Sequence, residues 1–412
     1  MKILAIETSC DDTCVAIIEV KPISGNKIPH FKILSNIVSS QTKIHRKYGG
    51  VVPALAKREH QKNLVPVLKK ALREAKMFEI FNFQFSIFKQ FSNSNFQILQ
   101  KILKREPQLL EQFTKKIALI KKPGIDLIAV THGPGLEPAL WAGVNFARAL
   151  SYWWNIPLLG VDHMEGHIAA NFLEQKISRI SNFKFLISNF PAVCLAVSGG
   201  HTQLILVKDI NKYKLLGETV DDAAGEGFDK VARMLGLGFP GGPEISRLAE
   251  KGNSKTFNFA RPMMTSGDYN FSFSGLKTSV LYQIKKLLNK KTNEVVKEGD
   301  LKKINKKTKA DIAASFQQAA VDVLISKTIN AAKNYNSKTI LLAGGVAANK
   351  KLRKQLREKI KSEIPDSKYL IPDTKLSTDN AAMIAAAAYF HRNRATLTRW
   401  KTLRADGNLK IK

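Results

Sequence analysis

Residues 2–20 read KILAIETSCDDTCVAIIEV. KILAIET (2–8) and CVAIIEV (14–20) are short apolar runs rich in isoleucine and valine, and the polar turn SCDD joins them, so they predict two adjacent strands. About 190 residues further on the pattern returns: AVCLAVS and QLILVKD flank GGHT at 199–202. A second pair recurs as well. IDLIAVTHGPGLEPALWAGVNFARAL is an apolar strand, a Gly/Pro loop and a helix, and SKTILLAGGVAANKKLRKQLREKI repeats that order. Two halves made of matching pieces predict a duplicated α/β fold. The expectation is two lobes with a central cleft faced by loops at strand ends, where open α/β sheets bind ligands.

Composition bounds the function. The chain has 412 residues, enough for two or three domains, and 44% of them are apolar. No run of 18 or more apolar residues occurs, so a membrane span is not expected. The opening MKILAIETSC reads as a strand, not a signal peptide. Three cysteines, Cys10, Cys14 and Cys194, give no disulfide framework and favour a reducing cytoplasm. Lys and Arg number 65 against 34 Asp and Glu, a formal charge of +31. That excess points to a polyanion, nucleic acid first; the alternative is a composition rich in lysine, asparagine and isoleucine throughout.

Further helices are expected over 60–76, 309–334 and 379–391, the last capped by Ser-Thr. Residues 77–122 look inserted, with seven phenylalanines between 78 and 96, and read as a peripheral, partly helical insert; docking on a partner and a poorly ordered elaboration are the two alternatives. Residues 285–309 read as an exposed lysine-rich connection. The division predicted is an N-terminal lobe at 1–160 and a C-terminal lobe at 161–376. A helix at 377–392 returns to the first lobe, and 393–412 forms a basic tail.

GVDHMEGHIAANF (160–172) carries His163 and His167 four residues apart. On a helix these positions lie about 40° apart around the axis, so both imidazoles can reach one ion. The spacing suits zinc or iron, with Asp379 of LSTDNAAMIA as the expected carboxylate ligand. The bland reading is local capping and packing. A zinc protease would need HExxH, whereas the residue after His163 is Met164, and Glu165 would face away from the ion. SGGHT, PGGPE and AGGVAAN are small-residue loops that let backbone amides approach a phosphate, while a GxxxxGK[ST] loop is absent. Glu226 and Asp229 share a helix face and could accept from ribose hydroxyls. Asp11, Asp12, His132 and His201 are the candidate proton acceptors, and in SCDDT the two aspartates also suit a bridging magnesium. The tail offers Arg392, Arg394, Arg399, Lys401 and Arg404 to phosphates and Trp400 for stacking on a base.

Taken in order, IETSCDDT, GGVVPALAKREH, THGPGL, DHMEGH, VSGGHTQL, DDAAGEGFDK, PGGP, FSFSGLKT, AGGVAAN and STDNAAMIA resemble the tRNA N6-threonylcarbamoyladenosine transferases, the TsaD family of the actin-like, sugar-kinase and Hsp70 ATPase superfamily. The resemblance spans nearly the whole chain, apart from 77–122, the lysine-rich connection and the tail. It implies an acyltransferase that moves threonylcarbamoyl from threonylcarbamoyl-AMP to N6 of adenosine 37 in tRNAs reading ANN codons, forming t6A and AMP. It implies Fe(2+), with Zn(2+) possible in vitro, on His163, His167 and Asp379. Ala196, Val197, Ser198, Gly199 and Gly200 would line the substrate, and Asp229, Gly242 and Asn349 would contact its nucleoside part. A TsaB-like paralogous subunit and a TsaE-like ATPase are the implied partners. Glu137, Pro138 and Trp141 depart from the small residues of many members, which makes that wall of the cleft different. Two other classes stay in view: a metalloprotease and a non-catalytic nucleotide-binding scaffold.

Overall fold

β1 (Lys2–Glu7) and β2 (Asp12–Lys21) form the antiparallel hairpin expected of the opening residues, with Ile3 opposite Ile18 and Ile6 opposite Val15. The structure, a computed structural model, describes residues 1–23, 28–81, 93–173 and 189–411. β3 (His30–Ser40) adds antiparallel to β2; β4 (Leu127–Gly133) and β5 (Leu158–Asp162) add parallel on the other side of β1. The sheet order is β3-β2-β1-β4-β5. The second sheet is β8-β7-β6-β9-β10, from β6 (Ala192–Val197), β7 (Thr202–Asp209), β8 (Lys212–Glu218), β9 (Thr339–Ala343) and β10 (Lys368–Leu370). Its pairing repeats the first: two antiparallel partners on one side of the first strand, two parallel on the other. The chain is therefore a duplicated α/β fold.

Contacts divide the chain into two units. The first is Met1–Lys43, Val51–Ile187 and Asp379–Ile411; the second is Ile44–Gly50 and Ser188–Thr378. The histidine helix thus belongs to the first unit, not after a break at residue 160, because it follows β5 directly and packs on the alanine-rich helix near the C-terminus.

In the first unit β1 is buried on both faces, which is why it reads as an unbroken apolar run. Helices Pro53–Glu74 and Glu137–Trp154 pack on the sheet and on each other, and Ala381–Phe390 covers β1 and β2. Pro53 sits at the first helical turn, where a missing N–H costs nothing, so this helix begins earlier than the apolar spacing indicates. Described parts of the insert are not peripheral. Helices Asn93–Ile102 and Pro107–Gln112 and the turn after them bury Leu99, Leu103, Leu109, Phe113 and Ile117 in the core of this unit. Most of the Phe-rich run, 82–92, lies outside the described residues. Ala381–Phe390 is capped by Asn380, whose side chain accepts from Met383 N, in place of the Ser-Thr pair.

The second unit is built around the long helix Lys306–Asn334, with Ala224–Met234, Gly241–Ala249, Ser274–Leu287 and Lys350–Glu363 beside it. Lys327 is fully buried in it and donates to Ser266 and Asp268, which pins the loop that follows Met263. No helix among the described residues is long and apolar enough to cross a membrane, and the three cysteines are free.

Candidate functional site

His163 and His167 lie on the helix His163–Ala169. Asp162, at the end of β5, caps that helix by accepting from Met164 N and Glu165 N, so the first histidine is held where the strand turns into helix. Gly166 faces the Ala381–Phe390 helix, and a Cβ there would come within 2.6 Å of Ile384 Cδ1. That close approach at Gly166 brings Asp379, immediately before the Asn380 cap, onto the imidazoles. Asp379 Oδ1 is 3.2 Å from His167 Nε2 and 3.6 Å from His163 Nε2, and the three ligand atoms lie within 4.8 Å of one another.

A metal fits this set. Ligand atoms about 2.1 Å from a tetrahedral ion stand roughly 3.4 Å apart, between the two distances to the carboxylate. Both ring nitrogens of His167 are buried and make no well-aligned hydrogen bond among the described residues, with Nε2 facing the Asp379 carboxylate, which leaves a lone pair for a ligand. Burial, and then the charge of His163, hold the His167 imidazole below its ordinary value, so it stays neutral as a ligand must. His163 Nδ1 lies 3.0 Å from Glu7 Oε2 and 3.3 Å from Ser9 Oγ, which turns Nε2 toward Asp379. Burial opposes charge on His163, but Glu7 and Asp379 outweigh it and raise the imidazole to about 9. A proton on His163 thus balances the carboxylates, and a divalent cation would displace it.

Glu7 escaped sequence reading. It lies near the end of an apolar strand with no pattern to mark it, yet it is fully buried and also accepts from Ser9 N and Thr131 Oγ1. Burial works against its ionisation; His163 beside it nonetheless holds it below the usual carboxylate range. The one available signal is a carboxylate inside the IETSCDDT run. His60 was also missed. It is buried, bonds Thr13 Oγ1 at 2.8 Å and Cys10 O at 3.0 Å, and so fixes the loop carrying Asp11 and Asp12.

Asp12 opens β2, half-buried, with Oδ1 lacking a partner among the described residues. Burial pushes its carboxyl up to about 7; Ser40 opposes this, and Asp11, Asp379 and Glu7 add to it. A carboxylate raised in the fold is destabilised when ionised: the penalty is absent below about pH 4, grows toward 7 and is constant above. Asp12→Asn is therefore expected to raise the denaturation midpoint of chelator-treated protein at pH 8 and to change it much less at pH 5. Equal midpoints at pH 8 would show that the burial cost is not there. His132 lies on β4, held below its usual value chiefly by burial. His201 belongs to the second unit, where its N–H donates to Ser198 Oγ.

The other residues singled out belong to the second unit, at the C-terminal ends of β6 and β9 and on the helices Ala224–Met234 and Gly241–Ala249. Ala196 and Val197 are buried in β6, while Gly199 and Gly200 are exposed, with open space where a side chain would stand. Asp229 Oδ1 accepts from Gly241 N at 2.6 Å, anchoring the PGGP loop, and Gly242 next to it is open. Asn349 caps Lys350–Glu363 through Leu352 N and donates to Ser246 Oγ and Gln317 Oε1. Glu226 is paired with Lys230 at 2.8 Å. The N-terminus of the Ala224–Met234 helix stands at the Gly199 loop, where a Cβ on Gly225 would meet Ser198 O and Gly199, and such an end favours an anion. A cavity of about 690 Å³ elsewhere in this unit, lined by Arg261, Gln318, Asp322 and Gln355 among others, contains none of these residues. Trp141 donates to Glu137 Oε1 and stacks under Arg105.

A sequence model of the family described as TsaD, tRNA N6-adenosine threonylcarbamoyltransferase, matches residues 32–79 and 103–386. A protein of that description from Thermosipho africanus (strain TCF52B) is 45% identical over 411 residues, covering 100% of both chains. Another, from Listeria welshimeri serovar 6b, is 42% identical over 385 residues, covering 93% of this chain and 90% of that one. Among solved structures, full-length HypF in the phosphate- and nucleotide-bound form aligns with a TM-score of 0.50 at 12% identity over 95% of this chain and 55% of that one. T. kodakarensis HypF aligns at 0.51, with 13% identity over 95% and 48%. The chain spans about half the length of each HypF, and at such identity the likeness concerns fold alone.

Proposed function

The chain belongs to the TsaD family of tRNA N6-adenosine threonylcarbamoyltransferases, and from that premise we propose how its residues carry the reaction. It is an acyltransferase that forms t6A by transferring threonylcarbamoyl to N6 of adenosine in tRNA. The observation that carries this reading is likeness to a named relative over the full length of both chains. The donor we assign is threonylcarbamoyl-AMP, and the acceptor is adenosine 37 of tRNAs reading ANN codons.

The N6 amine attacks the carbamoyl carbonyl carbon. A C–N bond forms, the bond from that carbon to phosphate oxygen breaks, and AMP leaves with the electron pair. The amine proton passes to a base, for which we assign Asp12, whose carboxyl burial pushes up to about 7. The donor is a mixed anhydride and already activated, so the protein's tasks are positioning and charge stabilisation. His163, His167 and Asp379 would hold Fe(2+), or Zn(2+) in vitro, and such an ion would supply a Lewis acid to the carbonyl oxygen. Glu7 orients His163. Ser198, Gly199 and Gly200 with the N-terminus of Ala224–Met234 cradle the phosphate, and Asp229, Gly242 and Asn349 border the nucleoside. A TsaB-like paralogue and a TsaE-like ATPase are the proposed partners, and the cytoplasm the proposed compartment.

The metalloprotease loses support because Glu165 is engaged by His391 and is not among the clustered ligand residues His163, His167 and Asp379. Purified protein given threonylcarbamoyl-AMP, Fe(2+), a TsaB-like subunit and unmodified tRNA is expected to release one AMP per t6A formed, read by mass spectrometry of nucleosides. Donor consumed without t6A would overturn the acceptor assignment.

A further inference from the structure

We propose that the C-terminal strap, residues 392–410, is a phosphate-binding track for the tRNA substrate. This rests on tRNA being the acceptor, as argued above. The segment is pinned along its length. Leu158 N donates to Thr396 O, Arg148 Nε to Trp400 O, Asp406 N to His132 O and Gly135 N to Gly407 O. Leu403 is buried in the core of the first unit, and Trp400 packs edge-on against Tyr152 at 4.9 Å. Trp400 is thereby occupied as an anchor, not as a platform for a base.

What the anchored backbone exposes is cationic. Arg392, Arg394, Arg399, Lys401, Arg404 and Lys410 are all exposed, and none pairs with a carboxylate among the described residues. Some cations elsewhere are matched, such as Lys290 with Asp300, Lys115 with Glu111, and Lys333 and Lys359 with Glu363, so the strap differs from them in gathering its cations on one anchored segment. Guanidinium groups on a fixed backbone suit phosphate oxygens, because the fork is pre-organised and binding releases condensed counterions.

The strap also lies beside the candidate centre. It bonds the loop after β4 at Gly135, the next residue's N–H donates to Ser9 O at 2.8 Å, and Ser9 Oγ lies 3.3 Å from His163 Nδ1. At the other end His391 contacts Glu165 on the histidine helix. RNA phosphates gripped here would bring a nearby base to that centre.

The test is equilibrium binding of an unmodified tRNA transcript to full-length protein between 50 and 200 mM salt. Replacing Arg394, Arg399, Lys401 and Arg404 by glutamine is expected to weaken binding about tenfold or more at low salt. It should also flatten the slope of log affinity against log salt by about 3, at roughly 0.7–0.9 per phosphate contact. The control replaces four exposed lysines of the second unit, Lys286, Lys291, Lys302 and Lys303, and should leave most of the slope intact. Arg399→Glu alone, a milder change, guards against misfolding of the fourfold variant and should weaken binding more than Lys302→Glu. Equal loss in strap and control variants, or an unchanged slope in the strap variant, would overturn the inference whether or not wild type makes t6A. Failure of wild type to make t6A counts against the functional reading alone.

Discussion

Asp379→Asn is expected to cut t6A formation by about a hundredfold or more and to empty the metal centre, as read by elemental analysis of protein purified without oxygen. The amide keeps the shape of the carboxylate but loses its charge, and neutral amides are poor ligands for a borderline metal. This position isolates the metal from folding, since the side chain is 24% exposed and lies before the helix cap. His163→Ala should lose at least as much activity, yet it also strands buried Glu7 without its cationic partner, a change that costs about 3–5 kcal/mol. Glu7→Gln separates holding the metal from orienting it. Metal affinity should fall by about 10–100-fold while activity recovers at saturating metal. Full activity with unchanged metal content in Asp379→Asn would remove the centre from the mechanism.

Gly344→Ala is expected to destabilise the protein by about 3 kcal/mol or more. The residue has φ 87° and ψ 169°, a region that only glycine occupies at low cost, so strain alone is about 1–3 kcal/mol. A Cβ would also stand 2.4 Å from Val197 O, backbone that cannot swing away. The AGGVAAN turn and the β6 end it rests on would shift together, disturbing the phosphate cradle. For a unit of this size the melting temperature should fall by roughly 6–12 °C. Gly345→Ala is the matched control: its added methyl meets open space, and its backbone needs no glycine. Similar melting of the two variants would show that the turn relaxes freely.

Much of this protein is legible from short stretches of its chain. Apolar runs with polar turns specify the β1–β2 and β6–β7 hairpins, because a strand buried on both faces has to be apolar throughout. HxxxH predicts two imidazoles on one face because helical periodicity is local. Where non-local packing decides, the same residues mislead. Trp400 reads as a stacking platform but packs edge-on against Tyr152, and the Pro107–Gln112 part of the insert reads as decoration but supplies core. Glu7 reads as the polar end of a strand, and only β4 and the histidine helix, folded against β1, make it the carboxylate that orients His163. Asp379 lies about 200 residues after His167. Its approach depends on how closely Gly166 lets two helices cross, a distance set by packed side chains and absent from any spacing along the chain.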